Sequence, residues 1–382
     1  MKLTALFKEF FNSEKAGGLV LLGCTIASLV LANSGLGENY TGFWHTDIAG
    51  HSIADWINDG LMAIFFLLIG LELEREIYQG ELSNLKDAML PIFAALGGVL
   101  IPAAIYTALN YNTPEQSGAG IPMATDIAFA LGILSLLGKR VPASLKVFLA
   151  AVAVIDDLCA ILVIAIFYTQ DMNITSLFIA LGIFGVLLLL GRLKFYNLVP
   201  YIFGGIVMWY FMLQSGVHAT ITGVLLAFAI PFGGKGNKSV SYVLQHFLHK
   251  PVAFIILPVF ALANTAILIR GDIRETLAQP YALGILIGLI LGKPAGILLF
   301  SFVATRLKLA SLPSELSWKT LIGVGFLAGI GFTMSIFITL LAFTDTRLID
   351  NAKLVIMIAS LIAGLTGFFF LKSILKKECS DS

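Results

Sequence analysis

The chain has 382 residues, 58% of them hydrophobic and only 12% charged, with a formal net charge of +1. A soluble domain is about 45–50% apolar and about 25% charged, so this composition excludes an ordinary soluble enzyme. The near-neutral balance argues against a nucleic-acid partner, and the mean hydropathy of +0.93 fits an all-α polytopic membrane protein.

A spanning helix needs about 20 mostly apolar residues, within a range of about 17–25. By that rule the sequence predicts twelve spans, near 14–32, 56–77, 88–109, 118–138, 143–168, 174–191, 198–213, 216–231, 251–269, 281–305, 319–343 and 352–372. The seventh and eighth are short and separated only by LQSG. The opening stretch MKLTALFKEFFNSEKAGG is charged and amphipathic, and no A-x-A site follows the apolar run after it. That pattern predicts a retained first span rather than a removed signal. Cys24 and Cys159 fall within apolar spans and Cys379 in the tail, which makes neither a disulfide framework nor a metal spacing.

Lys and Arg in the connecting segments set the orientation. One side carries nineteen of them, Lys2, Lys235 and Lys238 included, whereas the other carries four: Arg270, Arg274, Arg347 and Lys353. Both termini are therefore expected on the cytoplasmic side. The remaining basic residue, Lys293, lies inside a span.

The same alternation predicts a single integral-membrane domain over 1–382 that contains inverted repeat trios, about 88–168 and 281–372. The middle span of each trio is interrupted, the fourth by GAGIPMATD and the eleventh by GVGFLAGIGFTMS. Paired Gly- and Pro-broken spans in corresponding places of two halves point to a transporter site, although membrane glycines also serve close packing.

Within AVAVIDDLCAILVIAIFY, Asp156 and Asp157 stand where water is scarcest. An ionised Asp at a helix centre costs about 2.5–3.5 kcal/mol on insertion scales. Neighbours on a helix diverge by about 100°, so the two can share a cavity while facing different partners. Such a pair can hold protons, or release them to hold a small hard cation, which prefers oxygen ligands. The two occupancies exclude each other, and that competition is the chemistry of a cation/proton exchanger.

Lys293, in LGKPAG, is the counter-charge within the membrane, for Asp156 or Asp157 or for the carbonyl ends of interrupted helices. Asp126, in PMATDIAF, falls at the fourth-span break, where a negative charge offsets the partial positive ends of half-helices or ligates an ion. Thr125 offers a further oxygen, or an ordinary hydrogen bond to its own helix. His218 begins the eighth span, where a lone His serves packing more often than titration. His246 and His249 lack acidic or Cys companions nearby, so no metal centre is expected there. Glu72, Glu74 and Glu76 form either a cytoplasmic mouth or a solvated helix end, and Asp59 an outer interface.

The stretches WINDGLMAIFFLLIGLELERE, IPMATDIAFALGILSLLGKRVPASLKVFLAAVAVIDDL, SGVHATITGV, LPVFALANT, LGKPAGI and GIGFTMSIFI follow one another over nearly the whole chain. Together they resemble the bacterial NhaA-type sodium/proton antiporters, a family that is itself an example on which the inverted-repeat rule rests. The resemblance implies twelve spans with two broken helices crossing at mid-membrane in the bacterial inner membrane. It implies exchange of cytoplasmic Na⁺ or Li⁺ for external H⁺, without a cofactor or an enzymatic reaction, in pH and sodium homeostasis. By motif, Asp157 matches the principal cation ligand and Asp156 its proton-carrying neighbour. Lys293 matches the lysine that engages Asp156, and Asp126 with Thr125 the residues at the crossing. Glu72 and His218 match positions tied to pH sensing.

The chain departs from the family at Glu74, where a Lys is common, and at Gln245, where well-known members carry an acid; Tyr242 and Val243 replace basic residues nearby. These changes predict weaker or shifted pH activation. Cys159 stands where a Gly is usual. The outer loop over 33–55 is short for a β-hairpin that joins two copies, so a homodimer stays open but that contact is not expected. Two other classes of membrane protein also carry paired intramembrane carboxylates. An intramembrane aspartyl protease needs carboxylates facing each other across a water, which neighbours on one helix do not provide. A passive cation channel, or an antiporter-like subunit of a larger complex, would conduct without proton counter-flow.

Overall fold

Lipid offers no partner to a backbone N–H or C=O, so long apolar runs satisfy both internally by forming helices. The structure is a computed structural model that describes residues 5–168, 172–233, 239–269, 272–313 and 315–378. Lys2, Lys235, Lys238, Arg270 and Cys379 lie outside the described residues. In chain order the helices used below begin with α1 (Ala5–Ala32), α2 (Gly37–Trp44), α3 (Ile53–Gln79) and α4 (Lys86–Leu109). A 3₁₀ run, Pro114–Met123, leads into α5 (Ile127–Leu136), followed by α6 (Ala143–Phe167) and α7 (Ile174–Arg192). Then come α8 (Val199–Gln214), α9 (Ile221–Ala229), α10 (Val240–Asn264) and α11 (Pro280–Arg306). The last are α12 (Trp318–Ala328), α13 (Phe332–Ala342) and α14 (Thr346–Glu378).

Among the described residues, seven of these helices are long and apolar enough to cross a membrane, and three bent pairs raise the number to ten. The bent pairs are α1 with α2 at 120°, the 3₁₀ run with α5 at 41°, and α12 with α13 at 48°. The other two predicted spans are the short α8 and α9, of 16 and 9 residues. Nine residues rise only about 14 Å. Here the reading of 216–231 as a full span needs correction, because the chain turns through Gly216, at a φ of +78°, before α9 begins. The two interruptions are also narrower than their Gly-rich sequences suggest, with only residues 124–126 and 329–331 between helical segments.

The loop over 33–55 holds a minimal hairpin. Strand β1 (Asp47–Ile48) pairs antiparallel with β2 (His51–Ser52), with Asp47 opposite Ser52. Ala49 and Gly50 both take positive φ, the geometry of a type I′ turn, and Asp47 Oδ1 accepts the Gly50 N–H at 3.0 Å. Ser52 then opens α3 with a reciprocal capping box to Asp55.

The chain divides into two compact units: Met1–Gly23 with Glu81–Ala160 and Ile267–Ser382, and Cys24–Gly80 with Ile161–Ala266. In the first, α4 crosses α11 where Gly97 meets Gly296, and a Cβ on either would collide with the carbonyl of the other. Small residues at such crossings let membrane helices gain close packing, which replaces the hydrophobic drive that lipid removes. In the second, α9 approaches α3 in the same way, with Gly223 against the Ala63 backbone.

Candidate functional site

The predicted residues Thr125, Asp126, Asp156, Asp157 and Lys293 all belong to the first unit, and all are buried. Asp156 and Asp157 lie midway along α6, and neither has any exposed surface. Lys293 Nζ lies 2.8 Å from Asp156 Oδ2, with both side chains fully buried. The same oxygen accepts the Thr125 hydroxyl at 2.8 Å. Asp156 Oδ1 has no hydrogen-bond partner among the described residues. Of the two carboxylates open to Lys293 from sequence, the structure therefore pairs it with Asp156.

A π-helical turn positions Lys293. Gly288–Gly292 forms one wide turn of α11, and Lys293 follows it directly. Such turns are rare and concentrate at functional sites. This one packs on both helix breaks. A Cβ at Gly288 would lie 2.7 Å from Pro122 Cβ, and one at Gly329 would strike the Leu289 carbonyl oxygen. Pro122 lacks an N–H and so weakens the helix at the first break. Glycine at 329 leaves room for the turn at the second.

The breaks expose helix ends in the interior, where unmet backbone groups are costly. Each has a partner. At the carbonyl ends, the Lys293 ammonium donates to Met123 O, and the Thr125 hydroxyl shares its one proton between Asp156 Oδ2 and Ala328 O, 2.9 Å away. At the N–H ends, Asp126 serves two helices. Its Oδ1 accepts the Phe129 N–H of α5 at 2.9 Å; its Oδ2 accepts the Thr333 N–H of α13 at 3.1 Å and the Thr333 hydroxyl at 2.5 Å. Ser360 Oγ, from α14, accepts the Phe332 N–H at 3.1 Å. The two breaks also bond directly, Asp126 N–H to Ile330 O at 2.6 Å, while the Ser335 hydroxyl donates to Ile121 O at 2.7 Å. A positive charge thus stands at carbonyl ends and a negative charge at N–H ends, each opposing about half an elementary charge of helix dipole.

Thr333, Ser335 and Ser360 are the residues that sequence reasoning missed. Thr333 has a signal, because it stands two places after the glycine that ends the eleventh-span break. Ser360 is one of several hydroxyls along α14, Thr366 and Ser373 among them, and nothing in the sequence sets it apart.

Glu72 and His218 belong to the second unit. Glu72 is buried on α3, beside the Gln245 side chain of α10. Glu74, also buried, accepts the Ser241 hydroxyl at 3.1 Å, so this end of α3 is an internal polar seam rather than a solvated helix end. His218 Nε2 lies 3.0 Å from the Tyr168 carbonyl. No group of three or more His, Cys, Asp or Glu placed to hold a metal ion occurs among the described residues.

Apolar spans, two of them interrupted, with the breaks meeting over buried charges of both signs, define a broken-helix membrane transporter. Residues 8–371 match the family model described as Na⁺/H⁺ antiporter 1, and the chain belongs to that family. It is 66% identical over 382 residues to the Na(+)/H(+) antiporter NhaA of Flavobacterium psychrophilum, covering 100% of both chains. It is 59% identical over 381 residues to that of Cytophaga hutchinsonii, covering 100% of this chain and 98% of the relative. Among solved structures it is similar in fold to the sodium proton antiporter MjNhaP1 from Methanocaldococcus jannaschii. There the TM-score is 0.52 at 16% identity, with 98% and 97% of the two chains covered.

Proposed function

We propose that the chain is a secondary Na⁺/H⁺ antiporter of a bacterial inner membrane, exchanging cytoplasmic Na⁺ or Li⁺ for external protons. It acts as a single transport domain over 1–382, alone or as a homodimer in the lipid bilayer, with both termini cytoplasmic. The observation that carries this reading is the buried Asp156–Lys293 pair at the meeting of two broken helices, in a chain of this family.

The chemistry follows from oxygen count and charge. A small hard cation takes carboxylate and hydroxyl oxygens. Asp157 is the principal ligand, Asp156 offers its Oδ1, and Thr125 offers a hydroxyl. The cation binds only when those carboxylates are unprotonated, so its arrival expels a proton and protonation expels the cation. Asp156 Oδ2 is shared between Lys293 and Thr125. A cation at Asp156 weakens its hold on Lys293, whose ammonium also balances the Met123 carbonyl end. Loading therefore alters the charge set against the half-helix ends. That is the differential interaction an inward-to-outward change requires. Asp126 keeps the breaks together throughout and balances their N–H ends. Glu72 and His218, in the second unit, serve pH response.

Everted vesicles carrying the chain, given Na⁺ under a respiration-driven ΔpH, should release protons, and Asp157→Asn should abolish that release. Intact exchange in Asp157→Asn overturns the site assignment. Na⁺ conduction without proton counter-flow in the wild type overturns antiport in favour of a channel.

A further inference from the structure

Away from the buried charges, the first unit carries a cavity of about 280 Å³ lined by Leu136, Leu137, Arg140, Phe368, Lys372 and Leu375. It opens where the end of α5 and the turn Gly138–Arg140 meet the last turns of α14. Two of its six lining residues are cations and none is acidic. Both Arg140 and Lys372 are exposed, and among the described residues neither is in a salt bridge. Lys372 lies over the Phe368 ring, 5.7 Å from its centroid, which holds the ammonium at the cavity rather than free in solvent.

The apolar side of the cavity continues along α14. Residues 361, 365, 368 and 372 recur at helical spacing and share one face. Leu361 and Leu365 on that face are 61% and 49% exposed, and Leu136 on the opposite wall is 47% exposed. Charge therefore sits at one end of the groove and an uncovered apolar stripe runs from the other. A free inorganic anion would use only the first. An amphiphile with an anionic head and acyl chains uses both, and basic clefts between membrane helices on the Lys- and Arg-rich side suit such lipids.

We propose that this groove is a binding site for an anionic phospholipid, its phosphate between Arg140 and Lys372 and its acyl chains along Leu361 and Leu365. The site joins α5, whose first turn is capped by Asp126, to α14, which supplies Ser360 to the second break. A lipid seated there clamps together two helices that both reach the crossing, α5 through its N-terminal end and α14 through its middle. It does so whether or not the chain exchanges Na⁺ for H⁺.

The test uses the purified full-length chain in detergent, with phosphatidylglycerol or phosphatidylcholine added, read by retained lipid adducts in native mass spectrometry and by thermal unfolding. Phosphatidylglycerol should be retained and should raise the unfolding midpoint, and phosphatidylcholine should do neither. Each interfacial cation contributes about fivefold to affinity for an anionic lipid, so Arg140→Gln with Lys372→Gln should weaken retention about 30-fold. The same change at Arg306 and Lys308, basic residues outside the cavity, should leave retention intact. Equal retention in the Arg140/Lys372 variant overturns the site, as does equal retention of the two lipids by the wild type. An equal midpoint rise from inorganic phosphate alone overturns the lipid assignment. If the glutamine pair does not fold, the wild-type comparison of the two lipids decides.

Discussion

Asp126 and Thr333 stand 207 positions apart and are joined twice, Asp126 Oδ2 accepting both the backbone N–H and the hydroxyl of Thr333. With Oδ1 already capping α5, one carboxylate closes the N-terminal ends of half-helices from both broken spans. Asp126→Asn places an amide NH₂ opposite those donors and should cost about 2 kcal/mol by leaving a buried N–H unmet. Thr333→Val removes only the hydroxyl and should cost about 1 kcal/mol. Unfolding of both single variants and the double variant should show coupling of about 0.5–3 kcal/mol. Simple additivity would mean the two residues do not act as one joint.

Lys293 and Asp156 form an ion pair with no exposed surface on either side chain. Removing one partner of such a pair typically costs about 3–5 kcal/mol, because the other charge is left buried and alone. Lys293→Ala should therefore destabilise strongly. Adding Asp156→Asn should recover part of that loss, since the orphaned charge is gone. Thermal unfolding in detergent measures both, and a double variant less stable than Lys293→Ala contradicts the pairing.

Proton–cation competition has a definite sign. Below the pH at which the coupled carboxylates lose their protons, each unit of acidification should lower apparent Na⁺ affinity by up to about tenfold per displaced proton. Above that range the affinity should level off. Dye-monitored proton release against Na⁺ concentration at several pH values tests this. An apparent affinity independent of pH would remove the competition from the mechanism.

Glu72 lies beside Gln245, and Glu74 accepts the Ser241 hydroxyl, on the seam between α3 and α10. An amide at 245 does not titrate, so the seam lacks one charge-changing group. Exchange should rise only shallowly between about pH 6 and 9, and Gln245→Glu should steepen or shift that rise by setting a second carboxylate beside Glu72. An ordinary steep alkaline activation in the wild type would contradict this.

Much of the fold was legible because the bilayer removes alternatives. Twenty apolar residues in lipid form a helix whatever their neighbours do. The interrupted spans were visible through Gly120, Pro122, Gly329 and Gly331, and the charged residues through their rarity in apolar surroundings. The failures came where local turn geometry competes with apolarity. Gly216 shortens the eighth span, and Ala49–Gly50 turn a two-residue hairpin that apolarity alone does not signal.

The sequence by itself determined that the chain is a membrane transporter with carboxylates and a lysine inside it, because buried charge is too costly to be incidental. Only the tertiary structure decided how those charges are shared out. Lys293 could have faced Asp156 or Asp157, and the π turn at Gly288–Gly292, wedged between Pro122 and Gly329, aims it at Asp156 and Met123 O. Asp126 could have ligated an ion or balanced a dipole, and in this structure its oxygens are filled by Phe129 and Thr333. The physical reason is one of range. Apolarity and charge cost are properties of single residues and short runs, whereas the partner of a buried group comes from whichever distant segment packs against it.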